Sequence, residues 1–105
     1  MSKSETYTLA EEVIREIDNI FLNSPYLHLG GDEAFKSCWD LRPSIATFMK
    51  LKNISDIYEL QVYWRYQLKQ AIPSSRKVIF WEYDGKIRAG PDDILQYWGS
   101  QANAT

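Results

Sequence analysis

Several features are scarce or missing in this chain of 105 residues, and each absence narrows the possible classes of protein. A single cysteine, Cys38, leaves no internal disulfide to form. No run approaches the roughly 18 apolar residues that cross a bilayer, so no membrane span is expected. The net charge is −2, from 12 Lys and Arg against 14 Asp and Glu, and the basic residues form no block. A nucleic-acid partner is therefore not expected either.

The cellular compartment is left open by the residues themselves, because two signals disagree. The polar N-terminus has no apolar core of a signal peptide, and one lone cysteine is typical of a cytosolic chain. Two glycosylation sequons, at 53–55 and 103–105, indicate the secretory pathway instead.

Aromatic residues are abundant where other features are scarce. They make up 14% of the chain, as four Trp, seven Tyr and four Phe, within an otherwise ordinary globular composition of 45% hydrophobic and 25% charged residues. The length suits one small domain. Trp and Tyr fill cores, but they also line binding clefts when they are half exposed.

The hydrophobic periodicity predicts alternating helices and strands. Helices are predicted over 8–22, 43–52 and 56–71, strands over 26–29, 77–81 and 94–98, and a loop over 34–42. This alternation favours an α/β fold with a parallel sheet, and the apolar run 77–81 predicts a strand that is covered on both faces.

Three helices carry more detailed expectations. Thr8 and Glu11 have the spacing of a capping box, and Ser55 is the predicted cap of the third helix. The apolar stripe of the first helix comprises Leu9, Val13, Ile17 and Ile20, and is widened by Ile14 and Phe21. The expected inward faces of the other two are Ile45, Phe48 and Met49 in the second helix, and Ile57, Leu60, Trp64 and Leu68 in the third.

Two adjacent carboxylates follow the first predicted strand. Asp32 and Glu33 come directly after Gly30-Gly31, at the strand end where α/β folds build their active sites. Paired acids in different environments can divide acid and base roles. The simpler interpretation is a solvated loop that caps the next segment. A metal site that includes His28 has no recognised ligand spacing. His28 is more simply a packed strand residue.

Residues 26–39 resemble the signature of the family 20 glycoside hydrolases, the β-N-acetylhexosaminidases of the animal lysosomal type. The matching core is His-x-Gly-Gly-Asp-Glu, followed shortly by Cys-Trp. The similarity extends over nearly the whole chain, and 78–82 resembles the family's next strand, which usually ends Val-Trp-Gln-Glu. The resemblance implies that 1–105 is a partial catalytic domain: about strands 4 to 6 of a (β/α)₈ TIM barrel, with flanking helices.

The resemblance also implies a retaining, substrate-assisted hydrolysis of terminal non-reducing N-acetylhexosamine residues. Glu33 matches the general acid/base, and Asp32 matches the residue that orients the 2-acetamido group. Trp81 and Trp98 match aromatic walls of the sugar pocket, although simple core packing is the alternative for both. His28 is carried over as a substrate-binding residue.

Further expectations follow from the same resemblance. The partners are glycans or glycoconjugates that contain N-acetylhexosamine, no metal or other cofactor is needed, and full-length relatives are dimeric. The full-length parent is lysosomal or secreted, and Cys38 matches a cysteine that pairs with one upstream. Glu82 stands where the family usually has Gln. The alternative is a truncated non-catalytic remnant or a carbohydrate-binding fragment, because the family's substrate-clamping Arg on an early strand has no counterpart here.

Overall fold

The computed structural model describes residues 1–32, 34, 36–82 and 89–98. Its helices and strands follow one another as α1 (Ser4–Ile20), β1 (Tyr26–His28), α2 (Ser37–Asp40), α3 (Pro43–Leu51), α4 (Ile57–Lys69), β2 (Lys77–Glu82) and β3 (Ile94–Tyr97).

The three strands form one parallel sheet in the order β1-β2-β3, which confirms the predicted α/β class. Leu27 pairs with Val78, and Phe80 pairs with Leu95. Because all the strands run in one direction, their carboxyl ends meet at a single edge of the sheet. That edge carries the residues that follow β1, β2 and β3.

The side chains on the two faces of the sheet are buried to different extents. Leu27, Val78 and Phe80 are buried on one face, where Ile14 of α1 and Leu68 of α4 join the core. On the other face of β2, Ile79 and Trp81 are only half-buried. The prediction of a strand covered on both faces is therefore wrong within the described residues, which bury one face of β2 and leave the other partly open.

Helix α1 differs from its prediction in its start and in its apolar face. It begins at Ser4, and the hydroxyl of Thr8 donates to the Ser4 carbonyl at 3.3 Å inside the helix rather than capping it. Leu9 is 63% exposed and Ile20 is 72% exposed, whereas Ile14 is the buried residue of the helix. Hence most of the apolar stripe predicted to face inward is exposed within the described part of the chain.

Helix α4 carries the apolar face that its periodicity predicts. Ile57, Leu60 and Leu68 are buried, and Trp64 is half-buried.

The cap of α4 is Asp56 rather than Ser55, and its carboxylate accepts the amide of Glu59 at 2.8 Å. The Glu59 carboxylate in turn accepts the amide and hydroxyl of Ser55, so side chains on both sides of the helix start bond back across it.

The predicted loop 34–42 contains one short helix, α2, so that part of the prediction is wrong. Helix α3 starts with Pro43 in its first turn, as predicted. Its expected inward residues are half-buried: Ile45, Phe48 and Met49. No helix within the described ranges is long and apolar enough to cross a membrane.

The side chain of Arg76 links the start of β2 to the end of α1 by an ion pair and hydrogen bonds. Its guanidinium pairs with the Asp18 carboxylate and donates to the backbone carbonyls of Asp18 and Ser24. A buried cation with a paired carboxylate and two carbonyl acceptors is well compensated for its lost hydration.

Tyr7 carries a buried hydroxyl that has no hydrogen-bond partner among the described residues. Its ring contacts Tyr63 and Trp64, with centroid distances of 6.3 and 4.9 Å. Burial, with a smaller contribution from Tyr63, raises the pKa of Tyr7 from 10.0 to about 12. A phenol pKa that is raised on folding means that ionisation of Tyr7 destabilises the fold: stability is unaffected below about pH 10 and falls as the pH rises from 10 to 12.

We expect Tyr7→Phe to raise the free energy of unfolding at pH 7 by about 1 kcal/mol, because it removes an unpaired buried hydroxyl. The variant should also lose less stability than the parent between pH 10 and 12. Urea unfolding at pH 7 and at pH 11 measures both effects. Tyr66→Phe is the matched control, since Tyr66 is 60% exposed. A Tyr7→Phe variant that is less stable than the parent at pH 7 contradicts the prediction.

Candidate active site

The carboxyl end of β1 continues into a glycine turn that stays attached to β2. The amide of Leu29 donates to the Ile79 carbonyl at 2.9 Å, and the amide of Trp81 donates to the Gly30 carbonyl at 3.0 Å. Gly30 and Gly31 then adopt positive φ values of 67° and 92°, a backbone conformation that glycine adopts without steric cost.

Asp32 follows this turn at the sheet edge and is exposed. Glu33, the predicted acid/base, lies outside the described residues. The turn therefore brings the chain to Asp32, the described member of the predicted acidic pair.

The two glycines of this turn are not equivalent. A Cβ added at Gly30 would meet no atom within 4 Å. A Cβ added at Gly31 would lie 2.8 Å from Nη2 of Arg65, closer than such atoms approach in proteins. Gly30 is needed for its backbone conformation alone, whereas Gly31 is also needed for the close approach of a side chain.

Two side chains of α4 hold the carbonyl of Gly31. Nε2 of Gln61 and Nη2 of Arg65 each donate to this oxygen at 3.0 Å. Both side chains are 5% exposed. Neither was a predicted site residue, although the sequence carries a signal: a Gln and an Arg four residues apart lie on the buried side of a helix between Leu60 and Leu68.

Arg65 lies in an enclosed and charged environment. Its guanidinium carbon is 4.4 Å from the centroid of the Phe80 ring, and Glu82 at the end of β2 is fully buried. Burial lowers the pKa of Arg65 below its usual value, while the carboxylates of Glu82 and Asp93 act in the opposite direction. The carboxylate of Glu82 therefore acts on a buried cation.

The open face of the sheet brings His28 and Trp81 together. Their ring centroids are 4.7 Å apart. Nδ1 of His28 accepts the amide of Gly30 at 2.9 Å, which in a neutral imidazole assigns the proton to Nε2. Nε2 lies 3.2 Å from Oε1 of Gln96 on β3 and donates to it. One contiguous cluster thus spans all three strands.

Gln96 is the third residue that was missed as a candidate. Its position two residues before Trp98 carries no signal of its own, because only the register that pairs Trp81 with Gln96 brings β3 to His28.

Trp98 directly follows β3 at the same edge of the sheet. Its amide donates to the Glu82 carbonyl at 3.3 Å, and the residue is 45% exposed. The structure therefore places His28, Trp81 and Trp98 at the carboxyl ends of β1, β2 and β3. Direct ring contact is found between His28 and Trp81.

The metal interpretation of this edge finds no support in the described ranges. They contain no group of three or more His, Cys, Asp or Glu side chains that could hold a metal ion. Cys38 is an exposed free thiol on α2.

Comparisons with known proteins identify what the chain is similar to. The model of the family "Glycosyl hydrolase family 20, catalytic domain" matches residues 1–105. The beta-hexosaminidase subunit alpha of Mus musculus is 34% identical over 100 residues, which are 92% of this chain and 19% of that protein. The subunit beta of Homo sapiens is 30% identical over 101 residues, 92% of this chain and 18% of that protein.

A solved structure agrees with these relatives. The chitobiase of Flavobacterium johnsoniae matches with a TM-score of 0.76 at 28% identity, over 97% of this chain and 16% of that one. The chain spans about a fifth of the length of the curated relatives that it matches.

Proposed function

The chain belongs to glycosyl hydrolase family 20, and from this membership we propose that Asp32 and Glu33 are the catalytic pair of a β-N-acetylhexosaminidase. The enzyme would hydrolyse terminal non-reducing N-acetylhexosamine residues from glycans or glycoconjugates. The observation that carries the proposal is the position of Asp32, which follows a glycine turn after the carboxyl end of a parallel strand, where α/β enzymes act.

In the proposed reaction the enzyme supplies no nucleophile. The oxygen of the substrate's 2-acetamido group attacks the anomeric carbon and gives an oxazolinium intermediate, an exception to the two-carboxylate scheme. Glu33 protonates the departing glycosidic oxygen and then deprotonates the incoming water. Asp32 orients the acetamido group and stabilises the positive charge that develops on it.

The open face of the sheet supports a sugar pocket beside this pair. Trp81 and Trp98 offer partly exposed aromatic faces, which suit the C–H face of a sugar and the acetamido methyl group. His28 presents a polar ring that is fixed in orientation by Gly30 and Gln96. We assign substrate binding to Trp81, Trp98 and His28.

The proposed place of the segment is about strands 4 to 6 of a (β/α)₈ barrel. Three parallel strands with helices on one face fit a section of a barrel wall, whose other face turns toward the barrel interior. A whole barrel takes about 250 residues, so the remaining walls of the sugar pocket belong to other strands.

We propose a lysosomal or secreted location for the parent protein, and dimeric assembly by analogy with the family. The sequon at 53–55 supports the location, because Asn53 is exposed at the turn that ends α3, where a glycan can be attached. The sequon at 103–105 lies outside the described residues.

The experiment that tests the function compares two aryl β-glycosides of glucosamine on the whole protein, one N-acetylated and one N-trifluoroacetylated. We expect hydrolysis of the acetyl substrate with retained anomeric configuration, followed by ¹H NMR of the first-formed product. The trifluoroacetyl substrate should react at least tenfold more slowly, because its amide oxygen is a weaker nucleophile.

Two results would contradict the proposal. Inversion at the anomeric carbon would exclude a substrate-assisted mechanism. Saturable binding of N-acetylglucosamine without any hydrolysis would instead favour a carbohydrate-binding fragment.

A further inference from the structure

We infer that Gln61 and Arg65 are positioning residues for Asp32: they hold the Gly31 carbonyl and thereby fix the orientation of the peptide bond that joins Gly31 to Asp32. The inference rests on the proposed function in one respect, namely that Asp32 and Glu33 are the reacting groups. It adds two residues of α4 that touch neither substrate nor reacting atom.

The first step of the argument is the planarity of the peptide bond. The Gly31 carbonyl and the Asp32 amide lie in one plane, so two donors on the carbonyl oxygen also fix the direction of the Asp32 N–H. Nε2 of Gln61 and Nη2 of Arg65 both reach that oxygen at 3.0 Å. A carbonyl that accepts two hydrogen bonds has both of its lone pairs engaged, and the peptide plane resists rotation.

The second step is the rigidity of the support. Gln61 and Arg65 are four residues apart on α4, hence on one face of the helix. Leu60 and Leu68 anchor the same helix in the core, at 0% and 7% exposure. Groups that orient a reacting residue work best from such packed elements.

The third step concerns the energetic cost of this arrangement. Nε and Nη1 of Arg65 are buried and have no hydrogen-bond partner within the described residues, which is costly for a guanidinium. Together with the missing Cβ of Gly31, which makes room for the guanidinium, this indicates that the bond to the carbonyl is what the site requires.

The test uses Gln61→Leu and Arg65→Lys in the whole protein. Gln61→Leu removes one hydrogen-bond donor to the Gly31 carbonyl and leaves every charge in place. Arg65→Lys keeps the positive charge but loses the planar set of N–H donors of the guanidinium. Lys69→Met is the matched control: Lys69 lies on the same helix, one turn beyond Arg65, and pairs with Asp93 rather than with Gly31.

Two readouts are measured for each variant. We expect kcat to fall about three- to tenfold in Gln61→Leu with KM unchanged, because the lost bond disturbs orientation and leaves the sugar contacts intact. The order parameter of the Asp32 N–H, from ¹⁵N relaxation, should fall from about 0.85 toward 0.6. Arg65→Lys should show the same direction in both readouts, and Lys69→Met should show neither change.

The order parameter separates this inference from the proposed function. If the parent shows no hydrolysis, the proposed function fails, and the order parameter alone decides whether the two side chains hold the Asp32 peptide. An unchanged order parameter in both Gln61→Leu and Arg65→Lys overturns the inference, whatever happens to kcat. A rise in KM with a constant kcat and a constant order parameter overturns it as well.

Discussion

Replacing Glu33 by Gln is expected to lower kcat by about 10²- to 10⁴-fold on a glycan substrate, because the amide can neither protonate the leaving oxygen nor activate water. Gln has nearly the same size as Glu, so the fold should be unaffected. The loss is largest for a sugar leaving group, which departs as a poor alkoxide. An activated aryl leaving group needs less protonation and should show a smaller loss in the glycosidic cleavage step.

Addition of azide distinguishes the roles of the two carboxylates, Glu33 and Asp32. Azide is an anionic nucleophile that needs no general base, so it should restore turnover in Glu33→Gln and yield a glycosyl azide of retained configuration. Asp32→Asn should not be rescued, because its defect lies in orienting the acetamido group before water or azide attacks. Steady-state rates with and without azide, and NMR of the product, measure this difference. A Glu33→Gln variant with the parent's kcat would contradict the assignment.

Replacing Arg65 by Met is expected to lower the free energy of unfolding by about 3–5 kcal/mol. The reason lies in Glu82, which is fully buried. Its charge is opposed by the guanidinium of Arg65, a residue that is itself only 5% exposed. Removal of the cation takes this opposing charge away from a carboxylate that is fully buried. The variant also loses the contact of the guanidinium with the Phe80 ring, at 4.4 Å, which contributes about 0.5–2 kcal/mol.

The double variant Arg65→Met/Glu82→Gln tests this cause directly. With both charges gone, most of the stability should return, to within about 1.5 kcal/mol of the parent. Arg15→Met is the control for a surface ion pair: Arg15 pairs with Glu11 at 3.9 Å and its side chain is 62% exposed, so its loss should stay below about 0.5 kcal/mol. Urea unfolding measures all of these variants. A double variant as unstable as Arg65→Met would show that packing, not charge, is the cause.

The element types were predictable from local pattern, and their ends were less so. The apolar repeat of α4 predicted its buried face at Ile57, Leu60 and Leu68, since a helix that packs on a sheet must bury one stripe. Thr8 failed as the start of α1 because a hydroxyl inside a helix can bond back to the carbonyl four residues earlier, as it does with Ser4.

The site was predictable only in its sequence-adjacent part. The glycine pair and Asp32 stand together along the chain, and a glycine pair at a strand end predicts a sharp turn. Gln96 and Arg65 lie far from these residues in sequence. The register of β3 on β2 brings Gln96 to His28, and the packing of α4 on the sheet brings Arg65 to Gly31.

The sequence by itself determined the family, the α/β class and the chain position of the proposed acids, because each of these depends on residues that are neighbours along the chain. The tertiary structure decided which side chains support those residues: Gln61 and Arg65 beneath Gly31, and Gln96 beside His28. The physical reason is that a strand register and a helix docking are set by packing summed over many distant contacts. Local periodicity predicted the buried face of α4, but it did not predict the exposure of the α1 stripe, and it does not specify the partner that a face meets.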